Sequence, residues 1–504
     1  MTALTYLDYG LFGAGVYLLN SYIKQRRLPA PLPPGPRGLP IIGNAPDMPT
    51  QKDWLTYAEW GRKYGGIVSV SVMGQPIIIV NSVDIMEELD KKGVSYSDRP
   101  RLEMGGELLG YSDTLVLIPY GDRFRLYRKN IAKFIGGTTQ LKQLHPLIEA
   151  STRQFLRRTL AQPDDLMAHL RKLQGNIILK LTYGIDVQDG MDPFMALIER
   201  ANGNFNKATV PGSFLVDFFP VLRKLPEWLP GMGFMETARR WAADTLEMVE
   251  APYKFTRQQM EAGTASKSYV STIIEEGNLS ADDIQNLKFS ASSIYGGGAD
   301  TTVSAEYAFH LAMVLFPDVQ KKAQAEIDAV VGLERLPTFG DLPHLPYVNA
   351  IVTEVLRWNS VAPTGIPHRA GEDGIIAGYF IPKDSIIMCN LWNMLHDENI
   401  WPDAFTFSPE RYLGPSPQRD PRQVCFGFGR RICPGMYLAE AALSMTVAMT
   451  LATFNITNAV ENGVPIVPKQ ESTSGTISYP EAFKCTITPR SEKAAALIME
   501  EYHH

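Results

Sequence analysis

The chain has 504 residues, 45% hydrophobic and 20% charged, a globular balance long enough to bury a large core. A formal charge of -6 leaves no broad basic surface for a phosphate backbone, which argues against nucleic acid as a partner. The four cysteines, Cys389, Cys425, Cys433 and Cys485, form no C-x-x-C pair and no regular spacing, so neither a zinc site nor a disulfide framework is expected and a reducing compartment is.

From Tyr9 to Ile23 the chain reads YGLFGAGVYLLNSYI, apolar apart from Asn20 and Ser21, and Lys24, Arg26 and Arg27 follow at once. A bilayer span needs about 20 apolar residues, a length reached here only by starting near Leu4 and accepting Asp8. The positive charges come after the apolar run, the reverse of a secretory signal peptide. An uncleaved single-pass anchor over residues 1–27 is therefore expected, with everything after it cytosolic. A buried first helix of a soluble protein is the alternative. Residues 28–44, LPAPLPPGPRGLPIIGN, are too rich in proline and glycine for a helix and suit a stiff extended tether. The folded domain is expected over residues 45–504.

GGIVSVSVMGQPIIIVNS (Gly65 to Ser82) gives two β-rich runs around Gly74 and Gln75, a hairpin signal, and GIIAGYFIPKDSIIMCN (Gly374 to Asn390) a second strand pair. Between and beyond them, LHPLIEASTRQFLRRTL, DVQKKAQAEIDAVVG and VNAIVTEVLRW carry apolar residues at helical intervals. The chain reads as mainly α with small β-sheets and without repeats. Pro211 to Phe234, PGSFLVDFFPVLRKLPEWLPGMGF, is loop-like and aromatic. Two readings stay open for it: packing on the core, or a second membrane contact flanked by Arg223 and Lys224.

The chemistry concentrates in FGFGRRICPG, Phe426 to Gly435. An apolar helical run follows, and Pro434 suits its first position, where a missing N–H costs nothing. That places Cys433 at a helix N-terminus, whose free N–H groups and dipole favour the thiolate. Gly429 and Gly435 let the backbone approach something flat or bulky. Arg431 adds a cation. The combination points to a soft metal ligand on a large cofactor.

The pattern F-x-x-G-x-R-x-C-x-G, filled by Phe426, Gly429, Arg431, Cys433 and Gly435, resembles the haem-ligand loop of the cytochrome P-450 family, and the resemblance extends from Pro33 over nearly the whole chain. It implies the P-450 fold, a helical haem domain with a smaller β-rich subdomain, and haem b (iron protoporphyrin IX) with Cys433 as the axial ligand to iron. Glu354 and Arg357 in EVLR stand at i, i+3, a spacing that on a surface is worth about 0.2–0.5 kcal/mol. By resemblance they join Arg411 of FSPERY in a buried cluster that supports the haem-ligand region.

Three successive glycines precede Asp300 and Thr301 in YGGGADTT, each costing a helix about 1 kcal/mol relative to alanine. By resemblance this is the helix over the distal haem face, with Asp300 and Thr301 as the acid and alcohol that relay protons. Arg128, His368 and Arg431 are the implied propionate partners. Phe124 replaces the family's tryptophan and has no indole N–H to donate. The resemblance places Leu108, Phe205, Val210, Ala299, Val361, Ile366 and Thr476 around a pocket for a small apolar substrate.

No nicotinamide or flavin fingerprint is present. Electrons are thus expected from a separate NADPH-cytochrome P-450 reductase, with cytochrome b5 as an optional second donor, and Arg128, Lys129 and Lys133 as part of a basic docking face. The tail PEAFKCTITPRS and the stretch GYFIPKD are most similar to filamentous-fungal members that tailor secondary metabolites. These readings imply a monooxygenase using O2, anchored in the endoplasmic reticulum membrane. A haem-thiolate isomerase or dehydratase, which needs no reductase, and a haem sensor are the alternatives.

Overall fold

Past its first residues the chain shows why composition matters: nothing between residues 28 and 44 is helical, as its prolines require. The computed structural model describes residues 28–188, 190–210 and 212–500. The expected anchor over residues 1–27 lies outside the described residues. The proline-rich segment is docked at both ends, while residues 37–41 are exposed. Phe380 N–H donates to the Pro31 carbonyl (2.8 Å), Ser69 N–H to Pro34 (3.0 Å) and Asn44 N–H to Ser71 (2.6 Å). The segment thus touches the strand that holds Phe380 through Pro31, and the strand that holds Ser69 and Ser71 through Pro34 and Asn44.

After α1 (Asp53–Tyr64), strands β1 (Ile67–Val72) and β2 (Gln75–Val80) pair antiparallel, from Ile67 opposite Val80 to Val72 opposite Gln75. Their turn is Met73–Gly74, at φ 50° and 85°, one residue ahead of where the sequence pattern set it. A two-residue turn matching strand twist needs positive φ at both positions, and the methionine takes it beside the glycine. Much later in the chain come β3 (His368–Arg369), β4 (Gly374–Ile376), β5 (Tyr379–Ile381) and β6 (Ile386–Cys389). β4 and β5 form a separate hairpin, while β6 lies parallel to β2 in a sheet of order β1-β2-β6-β3.

The helical body comprises α2 (Val83–Lys91), α3 (Asp122–Ile135), α4 (His145–Ala161), α5 (Leu166–Tyr183), α6 (Pro193–Ala208) and α7 (Phe234–Glu261). It continues with α8 (Ala281–Gly298), α9 (Thr301–Leu315), α10 (Pro317–Val330), α11 (Pro346–Trp358) and α12 (Met436–Thr453). A three-stranded sheet of order β8-β7-β9 is built from β7 (Phe454–Glu461), β8 (Val464–Ile466) and β9 (Cys485–Pro489). α9 is apolar nearly all round and is buried among α5, α11, α12 and β7. α12 is the one helix among the described residues long and apolar enough to cross a membrane, but 67% of it is buried in this core.

Over residues 212–233 the aromatic loop divides its side chains. Val216 and Met232 are buried, Phe214 meets Trp241 edge-on, and Phe218 packs against the sheet. Leu215, Phe219, Val221 and Leu225 face out, and Trp228 is 80% exposed.

Candidate active site

Cys433 follows the short turn Gly429–Arg431 and precedes α12, whose N-cap is Gly435. Pro434, expected at the first helical position, thus stands one residue before the cap. Gly429 has φ +62°, a conformation that disfavours any side chain. Cys433 N–H donates to the Phe426 carbonyl at 2.9 Å, and Gly435 N–H bonds to the cysteine sulfur. Burial pushes the Cys433 thiol above its ordinary value, against Gly435 N–H and the Arg128 cation. Burial thus opposes the thiolate that the helix N-terminus favours, and a bound metal cation would offset it. All four cysteines are free. Burial raises the thiols of Cys389 and Cys485 to about 12, consistent with inert packing groups.

Cys433, Phe426 and Gly435 line a cavity of about 400 Å³ whose wall is mostly apolar. Arg128, His368 and Arg431 line it too, as the resemblance implied, and so does Arg99, which sequence reading missed. Arg99, 7% exposed, spends its guanidinium on the carbonyls of Val116 (3.0 Å), Ile366 (2.7 Å) and Pro367 (2.8 Å). Arg431 donates to the carbonyls of Ser97 and Ile118 (both 2.7 Å) and lies 4.0 Å above the Phe124 ring. The phenylalanine that replaces the family's tryptophan is thus a cation–π partner. Arg128 donates to the Ile432 carbonyl at 2.6 Å, which turns it inward and removes it from the docking face expected around Lys129 and Lys133. Lys133 itself pairs with Glu276 at 2.9 Å.

Burial lowers all three guanidinium groups, Arg431 to about 10, with Arg431 further opposing Arg99 and Arg128 further opposing Arg431. His368 is lowered as well, by burial and by Arg99, while its Nδ1 is 2.6 Å from the Tyr96 carbonyl. No carboxylate among the described residues lies in ion-pair range of Arg99, Arg128 or Arg431. Asp98, itself paired with Arg369, partly offsets Arg431 and Arg99 from beyond that range, and desolvation still outweighs it. Two carboxylates of a ligand, beside a metal held by Cys433, fit this donor set, and a haem supplies both.

The distal helix breaks at Ala299–Asp300, between α8 and α9. The three glycines have separate reasons. A Cβ on Gly298 would sit 2.3 Å from Ile178 of α5, whereas Gly297 faces open space and, with Gly296, lines the cavity. Thr301 and Asp300 line it as well. The Thr301 hydroxyl donates to the Gly297 carbonyl at 2.9 Å, and both Asp300 carboxylate oxygens accept hydrogen bonds. Phe205, Val361, Ile366 and Thr476 are on the wall. Leu108, Val210 and Ala299 are not: Ala299 is turned into the core by the helix break, and Leu108 packs against the same core.

Behind the cysteine loop, Arg357 grips Glu354 with two bonds of 2.8 Å and both side chains are fully buried. Glu354 also accepts from Arg411 Nε at 3.3 Å, from the Tyr412 hydroxyl at 3.0 Å and from Ser408 N–H at 3.0 Å. Arg357 also donates to the Leu395 carbonyl at 3.0 Å. The Glu354, Arg357 and Arg411 group ties α11 to the segment that leads to Cys433.

Fold and site together define a helical protein with a cysteine-bearing cavity rimmed by unpaired buried cations. The sequence matches the cytochrome P-450 family over residues 33–484. It is similar to cytochrome P-450 monooxygenase 208 of Postia placenta, with 48% identity over 481 residues, 95% of this chain and 94% of that protein. Cytochrome P-450 monooxygenase claR of Ampulloclitocybe clavipes is 47% identical over 489 residues (96% and 90%), and ppsD of Aspergillus oryzae 43% over 497 (96% and 94%). The chain belongs to the cytochrome P-450 family and is a haem-iron monooxygenase of it, with the mainly α fold that this implies.

Proposed function

We propose that this monooxygenase inserts one oxygen atom from O2 into a small apolar organic substrate, by hydroxylation or a related oxidation, in fungal secondary metabolism. Electrons come from NADPH through NADPH-cytochrome P-450 reductase, with cytochrome b5 as a second donor. The observation that carries the reading is one cavity shared by Cys433, three arginines with no ion-pair partner and the Asp300–Thr301 pair. Haem b, when bound, supplies dioxygen activation, and a cysteine thiolate ligand favours O–O cleavage.

Arg99, Arg128, Arg431 and His368 would hold the propionates. His368 has Nδ1 committed to Tyr96, which leaves Nε2, and a propionate beside it restores the charge that burial suppresses. The Thr301 hydroxyl would turn from the Gly297 carbonyl to pass a proton into the cavity. Asp300 would resupply it. Phe205, Val361 and Ile366 favour an apolar substrate, with Thr476 as a polar contact. An isomerase, a dehydratase or a haem sensor would have no use for the acid and alcohol at the cavity.

The apolar sequence from Tyr9 to Ile23 with its cationic flank, read as an anchor over residues 1–27, and the outward row Leu215, Phe219, Val221, Leu225 and Trp228 support attachment to the endoplasmic reticulum membrane with the catalytic domain cytosolic. Removing residues 1–27 and changing Trp228 and Phe219 to serine should move the protein to the soluble fraction. Unchanged fractionation would remove this part of the reading.

The central test is spectral. Reduced, CO-treated protein should show the red-shifted Soret band of thiolate ligation, and Cys433→Ser should lose it. Retention of that band by the variant would overturn the assignment.

A further inference from the structure

Asp300 is held from two directions by groups outside its own helix. Asn202 of α6 donates through Nδ2 to Asp300 Oδ2 at 2.9 Å and to the Gly296 carbonyl at 3.1 Å. Tyr479 places its hydroxyl 2.9 Å from Asp300 Oδ1 and 3.1 Å from the Asp300 carbonyl. Burial, with Asp300 beside it, raises the Tyr479 phenol above its ordinary value, so it stays a donor. Both carboxylate oxygens are therefore engaged by neutral groups.

These two donors are themselves fixed. Ser304 of α9 donates to the Ser478 carbonyl at 2.6 Å, and Ser478 N–H to the Val361 carbonyl at 2.8 Å, which pins the residue before Tyr479. The Thr209 and Thr476 hydroxyls, 2.9 Å apart, join the end of α6 to the same loop. The acid is thus located by α6 and the Tyr479 loop, each of which also supplies cavity wall, through Phe205 and Thr476. A carboxylate at a helix break, where neither helix fixes its rotamer, depends on such partners for its direction.

We propose that Asn202 and Tyr479 are positioning residues for Asp300, setting the orientation from which it resupplies protons to the cavity. The proposal rests on the monooxygenase reading above. Asn202 also lines the cavity, whereas Tyr479 does not. Both act through the acid.

The test uses the haem-loaded full chain with NADPH and its reductase and no substrate, so that the unidentified substrate does not enter. Dioxygen then leaves by two branches. One NADPH and one proton convert O2 to hydrogen peroxide and NADP+; two NADPH and two protons convert it to two waters and two NADP+. The water branch requires protons delivered inside the cavity, and the ratio of NADPH to O2 consumed reads the partition whatever fraction of the protein is folded.

In Tyr479→Phe and in Asn202→Leu this ratio should fall towards one and peroxide should rise, as in Asp300→Asn. In the Asp300→Asn background neither change should have any further effect. A ratio unmoved in both single variants overturns the proposal, and so does an equal fall in the Asp300→Asn background, which would mean a packing defect that admits water. A second measurement needs no turnover. The carboxylate band lost in the infrared difference between wild type and Asp300→Asn should shift in Tyr479→Phe, and an unshifted band overturns the clamp. Failure of the thiolate CO band in the wild type would sink the monooxygenase reading while leaving the infrared result to stand or fall by itself.

Discussion

Arg357 on α11 and Arg431 beside the cavity are both buried arginines, yet they meet their surroundings differently. Arg357 finds a complete answer in Glu354, and the carboxylate has its remaining capacity filled by Arg411, Tyr412 and Ser408. Arg431, like Arg99 and Arg128, gives its hydrogen bonds to main-chain carbonyls, which engage its N–H groups, and its charge is only partly offset, by Asp98 outside ion-pair range. The first group meets its two cations with a carboxylate of its own. The second exports a positive field into a cavity. Burial of charge is common to both, so what separates scaffold from binding site is where the counter-charge comes from.

Breaking the first group should have the largest effect. Glu354→Gln keeps the shape but strands Arg357 and Arg411 as uncompensated buried cations, a change that costs about 3–5 kcal/mol. Thermal unfolding should show a large loss of stability and the yield of haem-loaded protein should collapse. A variant within about 1 kcal/mol of wild type would mean that Glu354 is not the counter-charge described.

The Glu354, Arg357 and Arg411 group was legible only through the family resemblance of EVLR and FSPERY, since the i, i+3 spacing by itself reads as a surface pair, whereas the setting that singles out Cys433 is contiguous. Arg99 was not legible. Its position between Asp98 and Pro100 says nothing of burial, which arises when Val116 and Ile366, distant in the chain, bring their carbonyls to it. The helical intervals found α4, α10 and α11, but the break at Ala299–Asp300 turns Ala299 from the cavity to the core, an event no periodicity encodes. Asn202 and Tyr479 escaped for the same reason as Arg99: their partner is far away in sequence and near only after folding.

Glu306 on α9 extends the comparison to an acid with no cation at all. It is fully buried, accepts from Gln174 and Thr446 (both 2.7 Å) through one oxygen, and its other oxygen has no partner. Burial raises its carboxyl from 4.5 to about 8, so it is neutral at pH 7. A raised folded value means stability is full below the unfolded value and is lost as pH rises through the folded one. Wild type should therefore lose stability between pH 4.5 and about 8, while Glu306→Gln, which cannot ionise, should not. The variant's advantage should grow with pH, reaching about 3 kcal/mol at pH 7. Melting curves at acidic and alkaline pH check this, and a gap independent of pH would show that Glu306 is charged in the fold.

The second group should respond in the opposite way to the first, and Arg99→Met isolates that contrast. Methionine keeps the apolar stem that packs beside the cavity and removes the charge. In the apoprotein two terms oppose each other. The carbonyls of Val116, Ile366 and Pro367 lose a donor, at about 1 kcal/mol each, while a desolvated cation facing Arg431 is also removed, which relieves a repulsion of similar size. The net change in apoprotein melting should thus be small beside that of Glu354→Gln. Haem retention should behave otherwise, because a propionate that accepts a charge-assisted bond from Arg99 loses about 1.5–3 kcal/mol, or roughly 10- to 150-fold in affinity. Transfer of haem from the variant to apomyoglobin measures this directly. Faster transfer with nearly unchanged apoprotein stability would establish Arg99 as a ligand's counter-charge; unchanged transfer with a large loss of stability would place it with Arg357 as scaffold.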